Sequence, residues 1–166
     1  MRNQQQNTAT QYTLPPDQTC SSPQIKRIAW GYRKIPLSHG RHHIGRIIPR
    51  PGQPAVMVES AQERLVVQAL AKRCQCTALI SQPVTVWYLY GGRLRRYTPD
   101  LMVAFSEIPL DLENLGAQER TLIEVKPHGR HRVSAETLSL WREVLEMAVA
   151  MPLILLSAES AREAAP

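Results

Sequence analysis

The sequence has 166 residues, which is enough for one domain with a single modest core and a tail. Hydrophobic residues make up 43% of it, a share that excludes a chain disordered throughout. The 20 lysines and arginines exceed the 14 acidic residues, for a formal net charge of +6, so a polyanion such as DNA or RNA is a suitable partner and simple solubility is the alternative.

The first 58 residues divide into two segments of different composition. Residues 1–24 are rich in Gln, Asn, Thr, Ser and Pro and cannot bury enough apolar surface to offset their ordering entropy, so we predict a flexible polar tail. Residues 25–58 interleave basic and aromatic side chains. This favours either a basic arm that grips a phosphate backbone or an irregular surface arm that packs Trp30 and Ile35 on the core.

The first predicted helix begins near Ser60. Ser60 and Glu63 form the capping box S-x-x-E ahead of an apolar run. Val66, Val67 and Leu70 lie on the same helical face as Glu63. Because a carboxylate on a buried stripe is costly unless something binds it, Glu63 is a candidate functional residue.

The cysteines and the apolar stretches bear on the compartment. There are three cysteines, and Cys74 and Cys76 have no second Cys or His pair nearby, which indicates a reducing environment and argues against structural zinc. We expect these two to be small hydrophobes at the end of the first helix. No signal-peptide pattern or stretch long enough to span a bilayer is visible, so we expect a cytoplasmic protein with no membrane partner.

A β-hairpin is predicted next. Val84–Tyr90 alternates in the period of a half-buried strand, and Gly91 and Gly92 are typical of a hairpin turn. The returning strand is predicted to run from about Arg93 to Phe105.

The remaining elements complete an α/β pattern. A polar loop precedes a short strand at Thr121–Lys126, a second helix starts at Ser134, and Leu153–Leu156 forms a last apolar strand. The second helix carries one apolar stripe, formed by Leu138, Trp141, Leu145 and Ala148. This order predicts an α/β fold with a mixed central sheet flanked by helices.

Two strand ends carry the residues that point to chemistry. Pro99-Asp100 lies on one predicted strand, and Glu124-Val125-Lys126 lies on another. Because side chains alternate along a strand, Glu124 and Lys126 point to one side and Val125 to the core. If the strands are neighbours, the two carboxylates meet, and a divalent cation would relieve their repulsion. A carboxylate pair beside a lysine suits phosphodiester hydrolysis.

Four motifs lie in one order between about residues 40 and 156, namely Glu59–Glu63, Ser81–Pro83, Arg95–Asp100 and Leu122–Pro127. Together they resemble the TnsA-type endonuclease subunit of heteromeric transposases, which belongs to the PD-(D/E)xK nuclease superfamily. The resemblance implies a restriction-endonuclease-like fold over residues 59–166, preceded by the basic arm at 25–58. It also implies a bacterial or phage origin.

The resemblance implies a role for each residue of the site. Asp100, Glu124, the Val125 carbonyl and Glu63 would be the metal ligands, and Lys126 the catalytic lysine. The cofactor would be Mg²⁺, with Mn²⁺ as a substitute. The alternatives are a pure capping role for Glu63, with Glu59 as the other candidate acid, and a salt bridge without catalysis for Lys126. Candidate DNA contacts are Gln82, Arg95, Arg96, His128 and Arg130, although Gln82 could instead brace the site.

The function implied by the resemblance is cleavage of one DNA strand at transposon ends during cut-and-paste transposition. A companion DDE-type transposase would cut the other strand, and an ATPase regulator is a further candidate partner. Members of this family usually carry a second, winged-helix domain that contacts the regulator, and we expect that domain to be missing from this sequence. The alternatives are a stand-alone phage or restriction-type DNA endonuclease, or a non-catalytic DNA-binding assembly module.

Overall fold

The computed structural model describes residues 22–31, 45–126 and 133–163. Within them the chain forms strands and helices in the following order: β1 (Gln24–Trp30), β2 (Gly45–Ile47), β3 (Val56–Val58), α1 (Ala61–Lys72), β4 (Cys76–Ser81), β5 (Val84–Tyr90), β6 (Arg93–Tyr97), β7 (Leu101–Phe105), α2 (Leu110–Glu113), β8 (Arg120–Val125), α3 (Ala135–Val149), β9 (Leu153–Leu156) and α4 (Ala158–Glu163).

These strands form three sheets. A four-stranded sheet has the order β4-β7-β8-β9, a three-stranded sheet has the order β1-β5-β6, and β2 pairs with β3. All pairs are antiparallel except β8 with β9, which is parallel. The architecture is therefore mixed α/β, as the sequence predicts.

Helix α1 begins as its capping box predicts. The Ser60 hydroxyl accepts a hydrogen bond from the Glu63 N–H at 3.1 Å, and a Glu63 carboxylate oxygen accepts one from the Glu59 N–H at 2.8 Å. These contacts satisfy N–H groups that the first turn leaves free. Val66 and Val67 are fully buried, which confirms the predicted apolar face.

The four-stranded sheet separates two cores. One core lies under α1, α4 and β3, and includes Leu101 and Ile123. The other lies under α3 and the three-stranded sheet, and includes Leu122 and Leu145. Adjacent residues of β8 enter different cores because side chains alternate along a strand. The predicted stripe of α3 is confirmed by its packing in the second core.

The hairpin is confirmed, but its returning strand is not the single strand predicted. Gly91 and Gly92 have φ angles of +57° and +71°, which a tight hairpin turn requires. The segment Arg93–Phe105 forms two strands in different sheets, since β6 pairs with β5 and β7 pairs with β4 and β8. Pro99, which has no N–H to donate, lies in the crossing between them.

The described parts of segment 25–58 do not form an irregular arm, because they contain paired strands. Strand β1 pairs with β5, and Val56 and Val58 belong to the first core. Trp30 is 63% exposed, so the expectation that it packs on the core is wrong. Ile35 and residues 1–21 lie outside the described residues.

Three further elements were not predicted. Cys76 begins strand β4 and does not lie at a helix end. Helix α2 occupies part of the predicted polar loop, and α4 follows the last strand. No helix in the described part of the chain is long and apolar enough to cross a membrane.

The packing of α3 generates a stability prediction. Leu145 is fully buried in the second core, whereas Leu110 at the start of α2 is 76% exposed. We expect Leu145→Ala to lower the free energy of unfolding by about 3 kcal/mol, because it leaves a cavity. The same change at Leu110 should alter it by less than about 0.5 kcal/mol. Urea unfolding of both variants checks this, and equal effects would contradict the described packing of α3.

Candidate active site

Asp100 and Glu124 lie at the ends of β7 and β8, the two central strands of the four-stranded sheet. Strands β7 and β8 are antiparallel neighbours with Leu101 paired to Ile123, so continuing the register by one residue brings Asp100 across from Glu124. A carboxylate oxygen of Asp100 accepts a hydrogen bond from the Val125 N–H at 2.7 Å. The expectation that the two strands are neighbours is therefore confirmed.

Lys126 lies beside this pair. Its ammonium nitrogen is 2.6 Å from a carboxylate oxygen of Glu124, whose side chain is 6% exposed. The Lys126 side chain is 33% exposed, so it reaches from the buried acid toward solvent. Val125 belongs to the first core, which confirms the predicted alternation of Glu124, Val125 and Lys126. The salt bridge considered as the alternative role of Lys126 is present as a contact.

Glu63 approaches the pair from the start of α1. Its two carboxylate oxygens accept hydrogen bonds from the Glu59 N–H and the Ser60 hydroxyl, at 2.8 and 2.9 Å. Burial raises the pKa of Glu63, and the negative charges of Glu59 and Glu124 raise it further. The capping role of Glu63 is thus observed, and the charge of Glu124 affects the pKa of its carboxyl.

Burial and the neighbouring acids raise the pKa of Asp100. Burial, followed by the negative charge of Glu124, raises the pKa of Asp100 to about 7, and Glu63 adds to the rise. The Val125 N–H and the Lys126 ammonium act in the opposite direction. The charges of Glu124 and Glu63 thus disfavour ionisation of Asp100, and Lys126 offsets this in part.

Two aromatic residues that the sequence analysis did not assign to the site support it, although Tyr97 is part of the Arg95–Asp100 motif and Trp141 of the predicted apolar stripe. The Tyr97 hydroxyl donates a hydrogen bond to a Glu124 carboxylate oxygen at 2.8 Å. The Tyr97 ring stacks on the Trp141 ring with centroids 4.3 Å apart, and the Lys126 ammonium lies 6.0 Å from the Trp141 centroid. Burial raises the pKa of Tyr97 well above its usual value, so the hydroxyl keeps its proton. The available sequence signal was Tyr97 as the last strand residue before Thr-Pro-Asp.

Gln82 braces the site through its main chain. Its N–H donates to the Asp100 carbonyl at 2.8 Å, and its φ angle of +44° is in the left-handed region, which non-glycine residues rarely adopt. Its side-chain oxygen is buried and has no hydrogen-bond partner among the described residues. Of the two roles considered for Gln82, bracing is the one with an observed contact.

The basic residues predicted to contact DNA do not share one surface. Arg95 is opposite Tyr88 on the buried face of β5 and lies 5.4 Å from the Tyr90 ring centroid. Arg96 is opposite Trp87 and therefore points to the other face of the sheet. His128 and Arg130 lie outside the described residues.

The donor set can be compared with the needs of the predicted metal. Among residues 22–31, 45–126 and 133–163, no group of three His, Cys, Asp or Glu side chains forms a ready metal cluster. Both oxygens of Glu63 accept capping hydrogen bonds, and the two oxygens of Glu124 contact the Tyr97 hydroxyl and the Lys126 ammonium. One oxygen of Asp100 accepts a hydrogen bond from the Val125 N–H. Two neighbouring carboxylates are oxygen ligands of the kind that Mg²⁺ takes, because this ion uses few protein ligands and retains waters.

Compared with known proteins, the chain matches no family model, no curated protein and no solved structure. The site is therefore interpreted from its own geometry.

The raised pKa of Asp100 generates a prediction about stability and pH. Its ionisation penalises the folded state, so the penalty is absent below about pH 4, grows as pH rises and is complete above about pH 7. Asp100→Asn removes this charge and retains an oxygen for the Val125 N–H. We expect the variant to be more stable than wild type by about 2 kcal/mol at about pH 8 in EDTA and equally stable at about pH 4.

Asp111→Asn is the matched control for this experiment. The Asp111 carboxylate accepts two hydrogen bonds of 2.8 Å from the guanidinium of Arg73, whose side chain is 3% exposed. Removing its charge leaves a buried cation without its partner, so this variant should lose about 2 kcal/mol. Urea unfolding measures both variants, and a loss of stability in Asp100→Asn at about pH 8 would show that Asp100 is a structural ion-pair partner.

Proposed function

We propose that this chain is a metal-dependent DNA endonuclease with a restriction-endonuclease-like fold, which hydrolyses phosphodiester bonds at the edge of the four-stranded sheet. The observation that carries the proposal is the meeting of Asp100, Glu124 and Lys126 at the ends of neighbouring strands. Phosphodiester hydrolysis requires a carboxylate pair that needs a counter-charge and a lysine that can reach the substrate. Here Glu124 is buried, Asp100 is half-buried and Lys126 is partly exposed.

The roles of the protein groups follow from their contacts. Asp100 and Glu124 would hold Mg²⁺ or Mn²⁺, with the Val125 carbonyl and Glu63 as the further ligands that the resemblance implies. The bound cation would supply Lewis-acid charge to a phosphate oxygen and lower the pKa of a nucleophilic water. Lys126 would stabilise the negative charge that grows on the phosphate. Its 33% exposed side chain can reach a substrate while Glu124 orients the ammonium.

The proposed biological role is cleavage of one strand at transposon ends, next to a DDE-type transposase that cuts the other strand. This part rests on the resemblance to TnsA-type subunits, because the geometry of the site bears on the chemistry alone. The formal charge of +6 supports a DNA substrate, and Arg95, on the Tyr97 side of β6, is the described candidate for a backbone contact near the site.

A plasmid-nicking assay tests the proposed function. We expect the purified chain, alone or with its companion transposase, to nick DNA with Mg²⁺ or Mn²⁺ and not in EDTA. Asp100→Asn and Lys126→Ala should each reduce cleavage at least about 1,000-fold, because each removes a group needed at the reacting phosphate. Asp111→Asn changes the same functional group away from the site and should retain activity at a temperature where it is folded.

The outcomes of this assay separate the functions considered. Cleavage by the chain alone favours a stand-alone endonuclease, and cleavage only with the transposase favours the transposition role. Activity that survives both Asp100→Asn and Lys126→Ala would refute the proposed site. DNA binding without cleavage under any of these conditions would indicate a non-catalytic assembly module.

The hydrogen bond from Tyr97 to Glu124 generates a second prediction. Tyr97→Phe removes the hydroxyl that holds a Glu124 oxygen at 2.8 Å but keeps the ring that stacks on Trp141. We expect the cleavage rate to fall about ten-fold with DNA affinity unchanged, since a hydrogen bond to a charged group contributes about 1.5–3 kcal/mol. The control is Tyr90→Phe, which removes a hydroxyl from the neighbouring strand. An equal fall in both variants would show that Tyr97 acts through stability alone.

A further inference from the structure

One face of the three-stranded sheet is left open in the described part of the chain. On β5, Val84, Val86 and Tyr88 are buried in the core under α3. The alternating residues therefore point away from α3. No helix or strand among the described residues packs on this second face, which we call the outer face, because the contacts of α3 with β1 and β5 are made from the side of the core.

A row of three side chains crosses the outer face. The register pairs Arg27 of β1 with Trp87 of β5, and Trp87 with Arg96 of β6. Directly opposed residues of antiparallel strands lie on the same face, so the indole has an arginine on each side. The Arg27 guanidinium carbon lies 4.8 Å from the centroid of the Trp87 ring. Both arginines are exposed, and Trp87 is half-buried.

The charge of this sheet is of one sign. Strands β1, β5 and β6 contain no acidic residue, and their basic residues are Lys26, Arg27, Arg93, Arg95 and Arg96. In the described part of the chain, Arg27 and Arg96 have no carboxylate partner. Leu94, which lies two residues before Arg96 on the same face, is 65% exposed. The outer face thus joins unneutralised guanidinium groups to a half-buried indole and an exposed leucine.

From this arrangement we propose that the outer face binds a single strand of DNA. The two arginines can each pair with a phosphate, and the guanidinium over the indole offers a surface on which an unpaired base can stack. The three strands carry five basic residues and no acidic one, so their charge complements a polyanion. A polyanion with flat bases fits both features of the row.

The proposal rests on the proposed function for its substrate, but it concerns a different surface. On β6, Tyr97 points toward Glu124, whereas Arg96 points to the outer face. The outer face and the carboxylate pair are therefore on opposite sides of the same strand. The outer face therefore takes no part in breaking the bond.

Binding measurements without metal test the outer face apart from cleavage. Fluorescence anisotropy of a labelled oligothymidylate in EDTA would give the dissociation constant at several salt concentrations. We expect Arg27→Gln and Arg96→Gln each to weaken binding about five- to ten-fold, and to reduce the slope of log affinity against log salt by about 0.7, because each removes one phosphate contact. Trp87→Thr should weaken binding about ten-fold or more with the slope unchanged, since it removes stacking and no charge.

Arg120→Gln is the matched control, because Arg120 is an exposed arginine on β8 and its loss changes the net charge equally. Its affinity should stay within about two-fold of wild type. Arg27 and Arg96 are exposed, so their variants test the proposal even if Trp87→Thr fails to fold. Equal weakening in Arg120→Gln, or unchanged affinity in both Arg27→Gln and Arg96→Gln, would overturn the proposal.

The same variants distinguish this proposal from the proposed function. If wild type binds the oligothymidylate through the outer face but never cuts DNA, the binding surface stands and the endonuclease assignment fails. If wild type cuts DNA and the outer-face variants bind the oligothymidylate as tightly as wild type does, the endonuclease function is supported and single-strand binding by the outer face is refuted. A wild type that does not bind the oligothymidylate at all overturns the surface, and the nicking assay still decides the assignment.

Discussion

Two carboxylates, Asp100 and Glu124, lie opposite each other at the ends of β7 and β8, the central strands of the four-stranded sheet. The repulsion between them determines which groups the surrounding structure must place beside them. Asp100 and Glu124 are both largely buried, so water screens their charges poorly, and the pKa of Asp100 rises to about 7. The surrounding donors each address this cost. The Val125 N–H contacts Asp100, while Lys126 and the Tyr97 hydroxyl contact Glu124. These contacts offset the cost only in part, since the pKa of Asp100 stays raised.

The segment that links β6 to β7 crosses from the three-stranded to the four-stranded sheet and positions these groups around Glu124. Strand β6 ends at Tyr97 in the three-stranded sheet, and after three intervening residues the chain enters β7 in the four-stranded sheet. One short segment thereby brings Tyr97 and Asp100 to Glu124 from different sheets. Trp141 of α3 stacks on Tyr97 and lies near Lys126, so the second core fixes the position of the site. The packing of α3 and the geometry of the carboxylates are thus coupled.

Local patterns in the sequence were sufficient for several elements. The capping box at Ser60, the glycine turn after Tyr90 and the apolar stripe of α3 each depend on interactions within a few residues, and each is observed. The alternation of Glu124, Val125 and Lys126 is equally local. By contrast, the segment Arg93–Phe105 reads as one strand, because its change of sheet depends on partners distant in sequence. Strand β1 escaped prediction for the same reason, since its identity comes from pairing with β5.

By itself, the sequence determined the residue types of the candidate site and the strand ends that carry them, because alternation and capping act over short distances. It also determined the excess of basic charge. Only the tertiary structure decided that β7 and β8 are neighbours, that Tyr97 contacts Glu124, and that the chain changes sheets between Tyr97 and Leu101. The physical reason is that strand pairing and side-chain packing depend on contacts between distant segments, whose partners a linear pattern does not specify.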